Sequence, residues 1–329
     1  MIYNSRLNYI DVSRGLLILL VMYHHFPMLM PSLHCSFWEL MDDLQWTYSN
    51  FFMASFFLIT GRCSKFDYPF KQFFIKNFKS LLVPNFFLCI LAKIICSVYY
   101  RDSILQLLTI DYWLFHSFWF FKALFFGKLL FWFINKYIEN NIRKLIVLVF
   151  LFLFGIVLYR TDVCPNYLYF KSCFIFVLFI GLGNICHFIV DNVKFLCWAS
   201  LLYFVIVVGM KYANWTIPYI GAVNNLDYVN GFIFPIIAIS GSAIFFLIAR
   251  FIDNCKMLEQ LGKSTLVVYP ISSPLMFVIL KTIINYVNVY SNLHSVLLYI
   301  FIPIVSAFIC CYLYVFLVNS RLKYFIGKF

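Results

Sequence analysis

Asp11-Val-Ser-Arg-Gly-Leu-Leu-Ile-Leu-Leu-Val-Met-Tyr-His-His25 is the stretch whose reading decides the fold. An acid, a base and two histidines lie in or beside an otherwise apolar helical run. Ionisable groups at membrane depth are costly enough to mark function by default. At the helical rise Asp11 and His25 stand about 21 Å apart, most of a hydrocarbon thickness of about 30 Å. The same spacing nearly closes a whole number of turns, so Asp11, Gly15, Ile18, Met22 and His25 share one stripe, with Arg14 a turn from Asp11. One helix face thus links a charged rim to a buried imidazole.

The surrounding composition places that helix in a membrane. Of 329 residues, 64% are hydrophobic and only 12% charged, with a mean hydropathy of +0.90, too little polar residue to cover a soluble globule. The first apolar run passes His24 and His25 without a small-x-small cleavage site and has Asp11 in its flank, so it is expected to be a mature span rather than a signal peptide. The eleven cysteines are scattered through apolar segments without ligand spacing, and read as small buried hydrophobes. The formal charge of +12 is spread over short inter-span loops, which argues for membrane topology and against a nucleic-acid partner.

The expected fold class is all-α, a polytopic integral membrane protein forming a single transmembrane domain over residues 1–329. About ten spans are predicted, at 16–33, 47–63, 81–100, 112–134, 145–159, 172–190, 195–210, 231–252, 265–284 and 296–318. The fifth and seventh are the shortest. With a cytoplasmic N terminus about seventeen basic residues fall inside and about five outside (Arg101, Arg160, Lys171, Lys211 and Lys281), so both termini are expected to be cytoplasmic. The longest outer connection, 211–230, reads as a turn-rich linker or as a cover over a cavity.

Four constellations carry candidate chemistry. In the first, Asp11 caps its helix and Arg14 follows the positive-inside bias, while His24 and His25 lie where bulk water is remote. The second is Arg62, Lys65, Lys71, Lys76 and Lys79, an ordinary basic loop or a phosphate-binding rim, with Lys76 and Lys79 facing the same way at i and i+3. The third is Phe118-Trp119-Phe120-Phe121-Lys122-Ala123-Leu124, where Trp119 suits an interfacial aromatic belt. Lys122, Lys128 and Lys93 either snorkel to headgroups or line a polar cavity.

The fourth, Leu258 to Tyr269, contains Gly262-Lys263-Ser264-Thr265, but the first glycine of a Walker loop is absent, Met257 standing in its place. There Gly262 is expected to end one helix and Ser264 or Thr265 to cap the next. Of the remaining histidines, His34, His187 and His294 read as surface or interfacial residues and His116 as a weaker cavity candidate; no metal set is predicted.

Taken in order, these residues resemble the membrane-bound acyltransferases of the acyltransferase-3 type, including the fucose O-acetylase-like branch. Asp11-x-x-Arg14-Gly15 with His25 ten residues on is similar to the family's N-terminal signature. Phe56-Phe57-Leu58-Ile59-Thr60-Gly61 resembles its Phe-Phe-x-Ile-Ser-Gly, and Lys76-x-x-Lys79 with Leu81-Leu82-Val83-Pro84 its Arg-x-x-Arg and Leu-x-x-Pro boundary. Trp119-Phe120-Phe121 with Ala123-Leu124, and Leu261-Gly262-Lys263-Ser264-Thr265-Leu266 with Tyr269, complete the set. The chain departs from the pattern at Phe52 and Ser272, where the branch carries histidines, and in its lysines for arginines.

The resemblance implies an enzyme transferring an acyl group, usually acetyl, from cytoplasmic acetyl-CoA to a sugar hydroxyl of a surface glycan or lipid-linked precursor. The setting it implies is the bacterial inner membrane. It picks His25 over His24 as the catalytic base or nucleophile and has Asp11 orienting Arg14 or its helix start. Arg14, Lys76 and Lys79 form a cationic rim for the donor's phosphates, and His24, Trp119, Lys122 and Tyr269 are cavity-lining candidates. A glycan-lipid flippase or exporter, or a glycan polymerase, is the alternative reading.

Overall fold

The computed structural model describes residues 8–29, 41, 45, 47–97, 118–161, 169–213, 228–252, 254–286 and 292–328. His34, His116, the 214–227 part of the outer connection and the expected span ends at 30–33, 98–100 and 112–117 lie outside them. Every regular element among the described residues is helical. In order these are α1 (Asn8–His25), α2 (Phe52–Cys63), α3 (Phe70–Asn77), a π-helical turn (Phe78–Leu82), α4 (Val83–Ser97), α5 (Trp119–Tyr137) and α6 (Asn141–Thr161). There follow α7 (Phe170–Ile185), the short α8 (Phe188–Asp191), α9 (Val193–Tyr212), α10 (Tyr228–Phe251), α11 (Lys256–Lys263), α12 (Thr265–Tyr286), α13 (Asn292–Asn319) and a closing 3₁₀ segment (Arg321–Ile326).

Seven of these segments are long and apolar enough to cross a bilayer, and the chain is an all-α polytopic membrane protein. Each predicted span contains a helix. The expected lengths are reversed in an instructive way: the regions taken as shortest form α6 and α9, of 21 and 20 residues, while α2 has only 12. Basic residues at the ends of α6 had truncated the apolar window, although long basic side chains extend a span by reaching out of it. The short α2 and α7 form the centre and are buried almost all round.

Close backbone contact builds that centre. A Cβ on Gly61 would overlap the carbonyl of Ile180, and one on Gly183 the carbonyl of Leu58, so α2 and α7 cross antiparallel through paired glycines. Phe57 stacks on Phe176 at 4.3 Å beside this crossing, and Ser55 bonds to Ser242 of α10 at 2.7 Å. In the first turn of α4 stands Pro84, which has no N–H to give Ser80 and whose ring would crowd the Ser80 carbonyl. The wider π turn just before it accommodates that proline.

Four helix ends meet at one end of the bundle. Tyr9, at the start of α1, donates to Asp191 Oδ1 at 2.5 Å, and Arg62 Nε, at the end of α2, to Asp191 Oδ2 at 2.8 Å. Arg250, near the end of α10, lays its guanidinium 3.9 Å from the centre of the Tyr9 ring.

Candidate active site

The N-terminal signature and the late Gly-Lys-Ser-Thr element are brought together directly. A Cβ on Gly15 would overlap the carbonyl of Leu258, and one on Gly262 the carbonyl of Asp11, so α1 and α11 cross antiparallel on two bare backbones. Gly262 is therefore a packing glycine inside the last turn of α11, and not the expected helix stop. Nor does Ser264 cap α12 with its side chain: its hydroxyl donates back to the Leu261 carbonyl at 2.9 Å. Lys263 is paired with Glu259 one turn earlier.

Because α1 begins at Asn8, Asp11 occupies its first turn rather than capping it. A carboxylate there is favoured by the helix dipole, and it is 1% exposed. Arg14 Nη1 donates to Asp11 Oδ1 at 3.3 Å. The stripe is buried from Asp11 through Gly15, Ile18 and Met22 and opens at His25, which is half-buried. His24 is buried instead, its ring 5.4 Å from Phe52 and 6.5 Å from Tyr48. Phe52, one of the departures from the family pattern, thus packs on His24, while the two imidazoles lie 5.4 Å apart. The two differ in access, His25 being half-buried and His24 buried.

Three of the cavity-lining candidates cluster. Tyr269 packs among Phe118, Phe120 and Phe121 at ring distances of 5.4 to 5.9 Å. Lys122, from the same turn of α5, is 2% exposed and points its Nζ at the Tyr169 ring, 4.6 Å from the centroid. Trp119, at the start of α5, contacts Tyr169 and Phe176. His24 packs on a separate set of partners.

The basic rim takes a different shape from the one predicted. A cavity of about 360 Å³ opens where α2 ends, lined by Ser64, Lys65, Tyr68, Lys76, Asn77 and Lys128 among others. Lys76 lies 4.7 Å over the Tyr68 ring, and Lys128, midway along α5, reaches the same space past Phe73. Lys79 does not join it. The π turn breaks the i, i+3 relation to Lys76, and Lys79 borders an apolar groove with Phe74, Phe78 and Tyr324 instead. Arg62 is committed to Asp191 and Arg14 to Asp11. Asp191 and Tyr9 were missed from sequence, although an aspartate at a span end in a chain with only 13 acids was a usable signal. Among the described residues no group of His, Cys, Asp and Glu is of metal-binding size.

The fold and site define a membrane-embedded helical protein with a cationic cavity at one end and a half-buried imidazole at the far end of one long helix. Comparison makes the class specific, since the profile of the acyltransferase domain matches residues 7–315. The chain belongs to the acyltransferase-3 family and is an enzyme of acyl transfer. No curated protein and no solved structure matches the chain significantly.

Proposed function

We propose that the protein is a single domain over residues 1–329, with ten spans and both termini cytoplasmic, in a bacterial inner membrane. It transfers an acetyl group from cytoplasmic acetyl-CoA to a sugar hydroxyl of a surface glycan or lipid-linked precursor. The observation that carries the donor half is the cavity where Lys65, Lys76 and Lys128 converge. Coenzyme A carries several phosphate charges, and clustered ammonium groups at the mouth of a largely apolar bundle suit them. The tie of Tyr9, Arg62, Asp191 and Arg250 supports the topology, because strict alternation of ten spans sends those four ends to the same side. Family membership favours transfer over the exporter and polymerase readings.

His25 does the chemistry in this reading. The acceptor hydroxyl oxygen attacks the thioester carbonyl carbon as the imidazole takes its proton. The C–S bond then breaks, and the departing thiolate recovers that proton from the imidazolium. Asp11 and Arg14 act at the donor end, where Arg14 is held by Asp11 and still a quarter exposed. Lys76 contributes to the phosphate cavity, and Lys79 stands apart from it. His24, Trp119, Lys122 and Tyr269 shape the space around the reacting groups.

Purified protein incubated with radiolabelled acetyl-CoA should release free CoA thiol when a glycan acceptor is supplied. Mass spectrometry of the surface glycan should lose acetyl groups when the gene is deleted. No turnover together with an unchanged glycan would sink the reading.

A further inference from the structure

Beside the lysine cavity lies a second one of about 440 Å³, walled by Tyr68, Phe70 and Trp132 and carrying Asp67, Asn135 and Lys136. Tyr68 lines both. The strap of residues 64–69 between them is held by Trp132 Nε1, which donates to the Tyr68 carbonyl at 2.9 Å. The two spaces differ in chemistry: the first gathers three lysines, while the second is aromatic with one carboxylate, one amide and a single lysine. Phe70 and Trp132 stand 5.1 Å apart, and Phe70 is 43% exposed, so a flat ring has a face to stack on.

The amide of Asn135 has a defined orientation. Lys144, almost fully buried, donates from Nζ to Asn135 Oδ1 at 2.7 Å. An ammonium offers donors only, so the oxygen faces it and Nδ2 remains a donor. Asp67 is exposed and, when ionised, accepts only. An amide donor and a carboxylate acceptor on an aromatic wall complement adenine, which presents a ring-nitrogen acceptor beside its exocyclic amino donor.

We propose that this aromatic cavity binds the adenine ring of the acyl donor's nucleotide, Asn135 donating to a ring nitrogen and Asp67 accepting from the exocyclic amine. The phosphates then lie in the adjoining lysine cavity. The assignment rests on the acyl-CoA reading above and makes the enzyme selective for the base, which lysines alone cannot do. Hypoxanthine in place of adenine turns the amine into a carbonyl and sets it against the Asp67 carboxylate, so a site built for the amine rejects it.

Full-length protein in lipid nanodiscs is titrated with CoA, with its hypoxanthine analogue and with 4′-phosphopantetheine, which has no nucleoside. The analogue should bind about tenfold more weakly than CoA. Asp67→Ala should erase that preference while leaving 4′-phosphopantetheine unchanged. Asn135→Asp keeps an acceptor for Lys144 and removes the donor to the ring nitrogen, so it should weaken CoA while leaving 4′-phosphopantetheine unchanged. Equal binding of CoA and its hypoxanthine analogue by the wild type overturns the proposal, as does an Asp67→Ala variant that weakens all three ligands alike. If base identity has no effect while Lys76→Ala still weakens CoA, the donor reading stands and the adenine site falls; if CoA does not bind at all, both fall. Asp67 is exposed, so its variant remains decisive even where Asn135→Asp does not fold.

Discussion

Gly262 packs its bare Cα against the carbonyl of Asp11, and a methyl group there has nowhere to go because the obstacle is backbone. Gly15 and Leu258 repeat the contact one turn along, so the N-terminal signature and the late Gly-Lys-Ser-Thr element approach through paired glycines. Gly262→Ala should cost about 3 kcal/mol or more by overpacking, a fall in Tm of roughly 5 °C or more in detergent, and should lower acyl transfer with it. Gly209 meets nothing within 4 Å, so Gly209→Ala is the control and should leave Tm unchanged or raise it slightly.

Asp191 gathers two donors from two other helices, and its loss should loosen one end of the bundle without touching the reacting groups. Asp191→Ala is expected to lower Tm by a few degrees, since the pair is partly exposed and such contacts contribute about 1–2 kcal/mol in total. Tyr9→Phe removes one bond and should do about half as much. A Tm unchanged in both variants would show that the four ends are held by apolar packing alone.

The two lysines that looked equivalent in sequence should behave differently. Lys76 lines the cationic cavity with Lys65 and Lys128, whereas Lys79 borders an apolar groove. Lys76→Ala and Lys128→Ala should each raise KM for acetyl-CoA about tenfold with kcat little changed, the pattern of lost uniform binding, and the gap between variant and wild type should narrow with added salt, which screens the lysine charges. Lys79→Ala should change KM less than twofold. Equal effects at Lys76 and Lys79 would restore a continuous rim.

How much was legible in the sequence follows from the range of the forces involved. Apolar runs of bilayer length are local and each predicted span contains a helix, and the stripe from Asp11 to His25 is a property of one helix, so both survive in the structure. What failed depended on contacts between helices. The role of Gly262 requires α1 to be placed against α11, and the fate of Arg62 requires Asp191 to arrive from more than a hundred residues away. The divergence of Lys76 and Lys79 required a π turn, which helical periodicity cannot foresee although Pro84 was the hint. Likewise Lys128 belonged to the cavity only once α5 lay beside the strap of residues 64–69.

The histidine pair gives the sharpest test of mechanism. His25 continues the buried stripe and is half-open, while His24 is enclosed by Phe52 and Tyr48. His25→Ala should therefore lower kcat by about 10²–10⁴ with expression, Tm and CoA binding intact, because only proton transfer is removed. His24→Ala empties a packed site and should act on stability first, lowering Tm while the surviving folded protein keeps much of its kcat. His24→Phe retains ring volume beside Phe52 and should recover that stability, which a catalytic imidazole could not tolerate. If His24→Phe is inactive and His25→Ala active, the base lies one residue earlier, and the acceptor must enter through the enclosed side of α1 where Phe52 now stands.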